Sequence, residues 1–131
     1  MTDLAELLSD PDTTVAVVGA TDNPAKYGYV IYRDLKAKGF EVYPVNLTRA
    51  TVDGDAAYPD LSSLPATPTI VNIVVPPAQT LRVLEEAVAL GLRNVWVQPG
   101  AEDDAVVRFI AEHDLGAVVN ACIMVRSRLS A

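Results

Sequence analysis

The apolar residues of this chain come in short runs, separated by longer stretches in which apolar and polar positions alternate at helical spacing. Val15-Ala16-Val17-Val18 is the first run. A continuous apolar run between polar flanks fits a strand buried on both faces, and the first strand is predicted over roughly Thr14 to Val18. Glu41-Val42-Tyr43-Pro44-Val45 is the second. Pro44 cannot donate a ladder hydrogen bond, which points to an edge or a bulge. Thr69 to Val75 is rich in β-branched residues and forms the third. Asn94-Val95-Trp96-Val97 and Ala117-Val118-Val119 complete a set of five.

Helical patterns lie between these runs. Asp3 to Ser9 places Leu4, Leu7 and Leu8 on one side before Asp10-Pro11-Asp12 breaks the pattern. From about Gly28 to Lys38, Tyr27, Val30, Ile31 and Leu35 recur at helical spacing and are expected to face the sheet. Pro76-Pro77 leads into a helix ending near Leu90, with Leu81, Leu84, Ala87 and Val88 on one face. Glu102-Asp103-Asp104 opens another, whose stripe is Val106, Phe109 and Ile110, with His113 continuing it as a structural residue. Ile123 to Leu129 is a short final helix. Gly39 and Gly91 sit where helices end.

Strands alternating with helices, without an internal repeat or linker, predict an α/β fold. The expectation is a Rossmann-like open parallel five-stranded sheet with helices on both faces, formed by one domain over residues 1–131. The expected strand order is 3-2-1-4-5, with a ligand crevice at the carboxyl edge where the order reverses. Whether the Asn94 or the Thr69 strand takes the fourth place depends on how the Val42 and Ile70 strands are laid down.

Composition narrows the function classes. Half of the residues are hydrophobic and 6% are aromatic, so the core is built from Val, Ala, Leu and Ile. The net charge of −7 disfavours nucleic acid and anionic membranes as partners. No apolar run approaches a membrane span, and Met1 to Glu6 lacks the character of a signal peptide. One cysteine, Cys122, excludes an internal disulfide. A soluble cytoplasmic protein is expected.

The candidate chemistry gathers at the predicted strand ends. After the first strand, Gly19-Ala20-Thr21 leads through Asn23 to Lys26 at a helix start. Small residues allow close backbone approach, and a helix start offers free N–H groups and a positive dipole end. The combination suits a phosphate-bearing ligand, provided that local cations such as Lys26 and Arg49 offset the acidic surface. Asp53-Gly54-Asp55 reads as a solvated turn. The three acids at 102–104 complement a helix dipole better than they form a metal site. No Ser–His–acid set or metal-ligand spacing is apparent, so no catalytic or metal-binding residue is assigned.

In order and spacing, Gly19-Ala20-Thr21, Val42-Tyr43-Pro44-Val45-Asn46, Val75-Pro76-Pro77, Gln98-Pro99-Gly100 and Asn120-Ala121-Cys122 resemble the small, free-standing CoA-binding domain family. Its members look like the nucleotide-binding domain of the succinyl-CoA synthetase α subunit. The resemblance runs from about Thr14 to Leu129. It implies that Gly19, Ala20 and Thr21 meet the CoA phosphates, with Asn23 and Lys26 close by. Val45 and Asn46 would lie near the adenosine, Val75, Pro76 and Pro77 along the opposite wall, and Gln98, Pro99 and Gly100 along the pantetheine path. Two stretches depart from the family pattern. Leu47 stands where the family often has proline, and Asn120-Ala121-Cys122 stands for Asp-Arg-Cys. The chain also lacks the phosphohistidine segment, so ligase activity is not transferred.

The favoured function is therefore a non-catalytic protein that binds CoA or acyl-CoA, a small nucleotide-containing ligand. The alternative is an NAD(P)-binding oxidoreductase or redox sensor. An NAD site would usually place an acid at the end of strand two, where this chain has Asn46. Arg49 could accept a 2′-phosphate of NADP or the 3′-phosphate of CoA. Cys122 is read as a small buried residue, against a thiol at the crevice edge that forms a mixed disulfide with CoA.

Overall fold

The structure, a computed structural model, describes residues 4–127. Asp3 and Leu129, at the outer ends of the first and last predicted helices, lie outside the described residues. The chain runs through α1 (Leu4–Leu7), β1 (Thr14–Val18), α2 (Tyr27–Ala37) and β2 (Glu41–Val45). A small hairpin of β3 (Thr51–Val52) and β4 (Asp55–Ala56) follows, then a 3-10 turn at Leu61–Ser63. The remaining elements are β5 (Ile70–Ile73), α3 (Pro77–Ala89), β6 (Asn94–Val97), α4 (Asp104–Glu112), β7 (Gly116–Val119) and α5 (Ile123–Arg126).

The five long strands form one parallel sheet, as expected of a Rossmann-like α/β fold. Their order is β2-β1-β5-β6-β7. Counted along the chain this is 2-1-3-4-5 rather than 3-2-1-4-5, which corrects the expected order. The reason lies at β2. The Val45 carbonyl accepts from Gly19 N on the β1 side, whereas the Pro44 carbonyl accepts from Tyr58 N on the outer side. The N–H that proline lacks would point outward too, so β2 cannot carry another full strand there. Tyr58 instead covers the edge through a single bridge to Val45.

Side chains alternate across the sheet and feed two cores. Val15, Val17, Ile70 and Trp96 pack with α1, α2 and α5 on one face. Ala16, Val18, Val71, Ile73, Val95 and Val97 pack with α3 and α4 on the other. The stripe of α2 is shifted from the predicted one. Gly28, Ile31, Tyr32 and Leu35 are buried, while Tyr27 is 71% and Val30 43% exposed. Close packing of Gly28 against the β1–α2 turn sets this phase. Among the described residues, no helix is long and apolar enough to cross a membrane.

Candidate functional site

β1 and β5 are neighbours, yet the chain leaves them toward opposite faces of the sheet, into α2 and α3. This switch point opens a crevice at the carboxyl edge. The cavity there has a volume of about 870 Å³, within the range of small-molecule sites.

The β1–α2 turn forms one wall. Gly19 has φ +105°, and its N–H donates to the Val45 carbonyl at 2.9 Å. A Cβ there would meet Val74 Cγ1 at 2.9 Å and the Val74 carbonyl oxygen at 3.0 Å. Only glycine fits this conformation and this approach. Thr21 Oγ1 accepts from Asn23 N at 3.2 Å, and Asn23 Oδ1 accepts from Ala25 N at 3.0 Å. These local bonds carry the chain to Lys26, the extended residue preceding α2. No side chain caps α2, so its first N–H groups and dipole are left for an anion. Gly19, Thr21, Lys26 and Gly28 all line the cavity.

Asn46 closes the β2 end. Its Nδ2 donates to the Ala20 carbonyl at 2.9 Å, and its Oδ1 accepts from Thr48 N at 2.9 Å and Arg49 N at 3.0 Å. The side chain thus ties the glycine turn to the loop after β2. Val75, Pro76 and Pro77 form the wall across from it, and Pro99 and Gly100 extend it. Thr80 Oγ1 donates to the Val75 carbonyl at 3.2 Å, holding the turn into α3.

An ion network backs the glycine turn. Asp22 Oδ1 accepts from Asp53 N at 2.9 Å and from Arg33 at 3.3 Å. The hydrogen bond from the Asp53 amide, assisted by Arg33, holds the Asp22 carboxyl below its ordinary pKa. Arg33 also pairs with Asp53, and Lys36 with Asp53 and Asp55. Asp53 and Asp55 thus stay partly open to solvent, as expected of that turn, and are in addition paired to α2. Arg49 faces Asp22 at 3.9 Å and does not line the cavity.

Of the predicted site residues, Ala20, Asn23 and Gln98 do not line the cavity. Ala20 is fully buried beneath the turn. Gln98 points the other way, and its Oε1 accepts from Ile123 N at 2.9 Å to fix the start of α5. Cys122, half-buried, lies 3.5 Å from Gln98 Nε2 and is likewise outside the cavity lining. His113 stacks on Phe109 at 3.8 Å, and its Nδ1 lies 2.9 Å from the Phe109 carbonyl. It ends α4, at the amino edge of the sheet.

Sequence reasoning missed one end of the cavity, formed by Pro59, Asp60 and Leu61 with Gln79, Arg82 and Val83. The first three fall between the second and third predicted strands, where prolines and serines interrupt any periodic pattern. The last three recur at helical spacing beyond Pro77, a signal that was available. Among the described residues, no cluster of three or more His, Cys, Asp or Glu could hold a metal ion. The crevice combines glycine-permitted backbone approach, a helix start, a cation and apolar walls, which fits a ligand with phosphates joined to an apolar arm.

A profile of the CoA binding domain matches residues 13–128. The α subunit of ADP-forming acetate–CoA ligase II of Pyrococcus furiosus is 35% identical over 84 residues, covering 63% of this chain and 18% of that subunit. The chain thus spans about a fifth of the length of that curated relative. An uncharacterized protein of Bacillus subtilis is 26% identical over 111 residues, covering 85% of this chain and 82% of its own. Among solved structures, a conserved hypothetical protein from Pyrococcus furiosus superposes with a TM-score of 0.84 at 41% identity, covering 88% of this chain and 99% of that one.

Proposed function

This chain belongs to the CoA binding domain family, and from that premise we propose that it binds CoA or acyl-CoA in the carboxyl-edge crevice, without catalysis of its own. The observation that carries this reading is the Gly19 turn, open to the cavity at the uncapped start of α2 with Lys26 beside it. In the proposed pose the pyrophosphate lies over Gly19 and Thr21, with Lys26 supplying charge. Ala20 and Asn23 support that turn from behind. The adenosine lies toward Val45 and Asn46, and the pantetheine arm runs past Val75, Pro76 and Pro77 to Pro99 and Gly100. Gln98 holds that last loop through Ile123.

Asn46 supports CoA over NAD. A ribose-binding acid is the usual partner of NAD at this position, and Asn46 Oδ1 is already engaged by Thr48 and Arg49. A cytoplasmic setting belongs to the same proposal. Calorimetric titration with CoA, acetyl-CoA, NAD and NADP tests it. Binding of CoA or its thioester, with little binding of NAD or NADP, is expected. Binding of NAD or NADP alone would reverse the reading.

A further inference from the structure

Several of the cations in this acidic chain are engaged. Arg33, Lys36, Lys38 and Arg49 face carboxylates, and Arg93 donates to the His113 and Asp114 carbonyls. Lys26 and Arg82 make no ion pair or side-chain hydrogen bond among the described residues, and both line the crevice. Lys26 stands at the start of α2 and Arg82 on α3, so the two free charges serve different walls.

The wall around Arg82 has a chemistry of its own. Val45, Pro59, Leu61 and Val83 are apolar, Gln79 is polar and uncharged, and Asp60 and Arg82 are the charged residues among them. The Pro59–Leu61 segment is fixed against α3, because Glu86 accepts from Leu61 N at 3.0 Å and Ser62 N at 3.4 Å. Asp60 Oδ1 accepts from Ser62 Oγ and Ser63 N, each within 3.0 Å. Asp60 Oδ2 makes no hydrogen bond among the described residues. A phosphate placed here would face that carboxylate. A flat base with an exocyclic amine would not: the amine donates to a carboxylate, and a guanidinium lies favourably over an aromatic plane.

Resting on the CoA reading, we propose that Asp60 and Arg82 form a base-reading pair that selects the adenine of the ligand. Asp60 Oδ2 accepts from the exocyclic amine, and the Arg82 guanidinium covers the ring against the apolar wall. Hypoxanthine carries a carbonyl oxygen in place of that amine and would meet the carboxylate unfavourably.

The test is calorimetric titration of the unaltered chain, Arg82→Ala and Asp60→Asn with three ligands: CoA, its hypoxanthine analogue and 4′-phosphopantetheine, which has no base. Asparagine keeps the Oδ1 acceptor for Ser62 and Ser63 and presents an amide N–H₂ to the slot. The Arg82→Ala variant is expected to weaken CoA by about tenfold and leave 4′-phosphopantetheine unchanged. The Asp60→Asn variant is expected to reverse the preference for adenine over hypoxanthine. If both variants bind CoA like the unaltered chain, or if both lose CoA and 4′-phosphopantetheine equally, the pair does not read the base, while the CoA reading stands. If the unaltered chain binds neither CoA nor 4′-phosphopantetheine, the CoA reading fails and this inference with it.

Discussion

The carbonyl oxygen of Gly19 occupies the space that a side chain at Gly28 would need: a Cβ on Gly28 would lie 1.9 Å from it. The obstacle is backbone, not the end of a flexible side chain, so a larger residue must push α2 away from the glycine turn. Gly28→Ala is expected to destabilise the chain by on the order of 3 kcal/mol. Gly91→Ala is a useful contrast. Its site is strained by a φ of +76° but has nothing within 4 Å of the added Cβ, so about 1 kcal/mol is expected there. Thermal or urea unfolding of the two variants checks the ranking.

Lys26 separates binding from stability. It is exposed and makes no ion pair among the described residues, yet it lines the crevice. Lys26→Ala is expected to weaken CoA by about 1.5–3 kcal/mol, roughly ten- to a hundredfold, with an unchanged melting temperature. Calorimetry beside a thermal scan reads both quantities, and undiminished affinity would remove Lys26 from the phosphate contacts.

The β3–β4 hairpin makes stability depend on pH. Lys36, then the Tyr32 hydroxyl, hold the Asp55 carboxyl below its ordinary value of 3.8, and Asp22 is lowered as well. A carboxyl with a depressed folded-state pKa stabilises the fold above its unfolded pKa. That contribution is lost as the pH falls through the folded value. Asp55→Asn should therefore melt at a lower temperature than the unaltered chain at neutral pH, and the two curves should converge below pH 3.8. A gap that persisted in acid would assign the effect to packing rather than charge.

Asn72 is a polar residue at the centre of the sheet, opposite Val17 and Trp96 in register. It is fully buried, and neither its Nδ2 nor its Oδ1 has a hydrogen-bond partner among the described residues. Such atoms are costly to bury. Asn72→Val is expected to raise stability by about 1 kcal/mol, seen as a melting temperature several degrees higher. A lower melting temperature would show that the amide is satisfied in solution.

The elements that sequence made legible are those with a strong local pattern. The Val15–Val18, Val42–Val45 and Val95–Val97 runs are strands because their apolar residues require cover on both faces. The glycine turn was legible because Gly19, Asn23 and Lys26 each carry a local backbone or charge signal. What escaped depends on distant partners. The strand order turned on which side of β2 Pro44 faces, and that is set by the register of β2 on β1, in which the Val45 carbonyl takes the Gly19 N–H. The phase of α2 turned on the contact of Gly28 with Gly19, which hydrophobicity alone cannot weigh, since Tyr27 and Val30 fit the stripe equally well. The pairing of Asp53 and Asp55 was not legible because Arg33 and Lys36 lie on another element. Gln98 sits beside lining residues in sequence, but its side chain turns toward Ile123.

The most direct measurement of the central claim is a titration of isotopically labelled protein with CoA, followed by amide chemical shifts. Signals of Gly19, Thr21, Asn46, Val75 and Gly100 should move together along one saturable curve, while those of Arg93 and Gly116 at the amino edge of the sheet stay fixed. Shifts confined to the amino edge, or no saturable shift at all, would contradict a CoA site in this crevice.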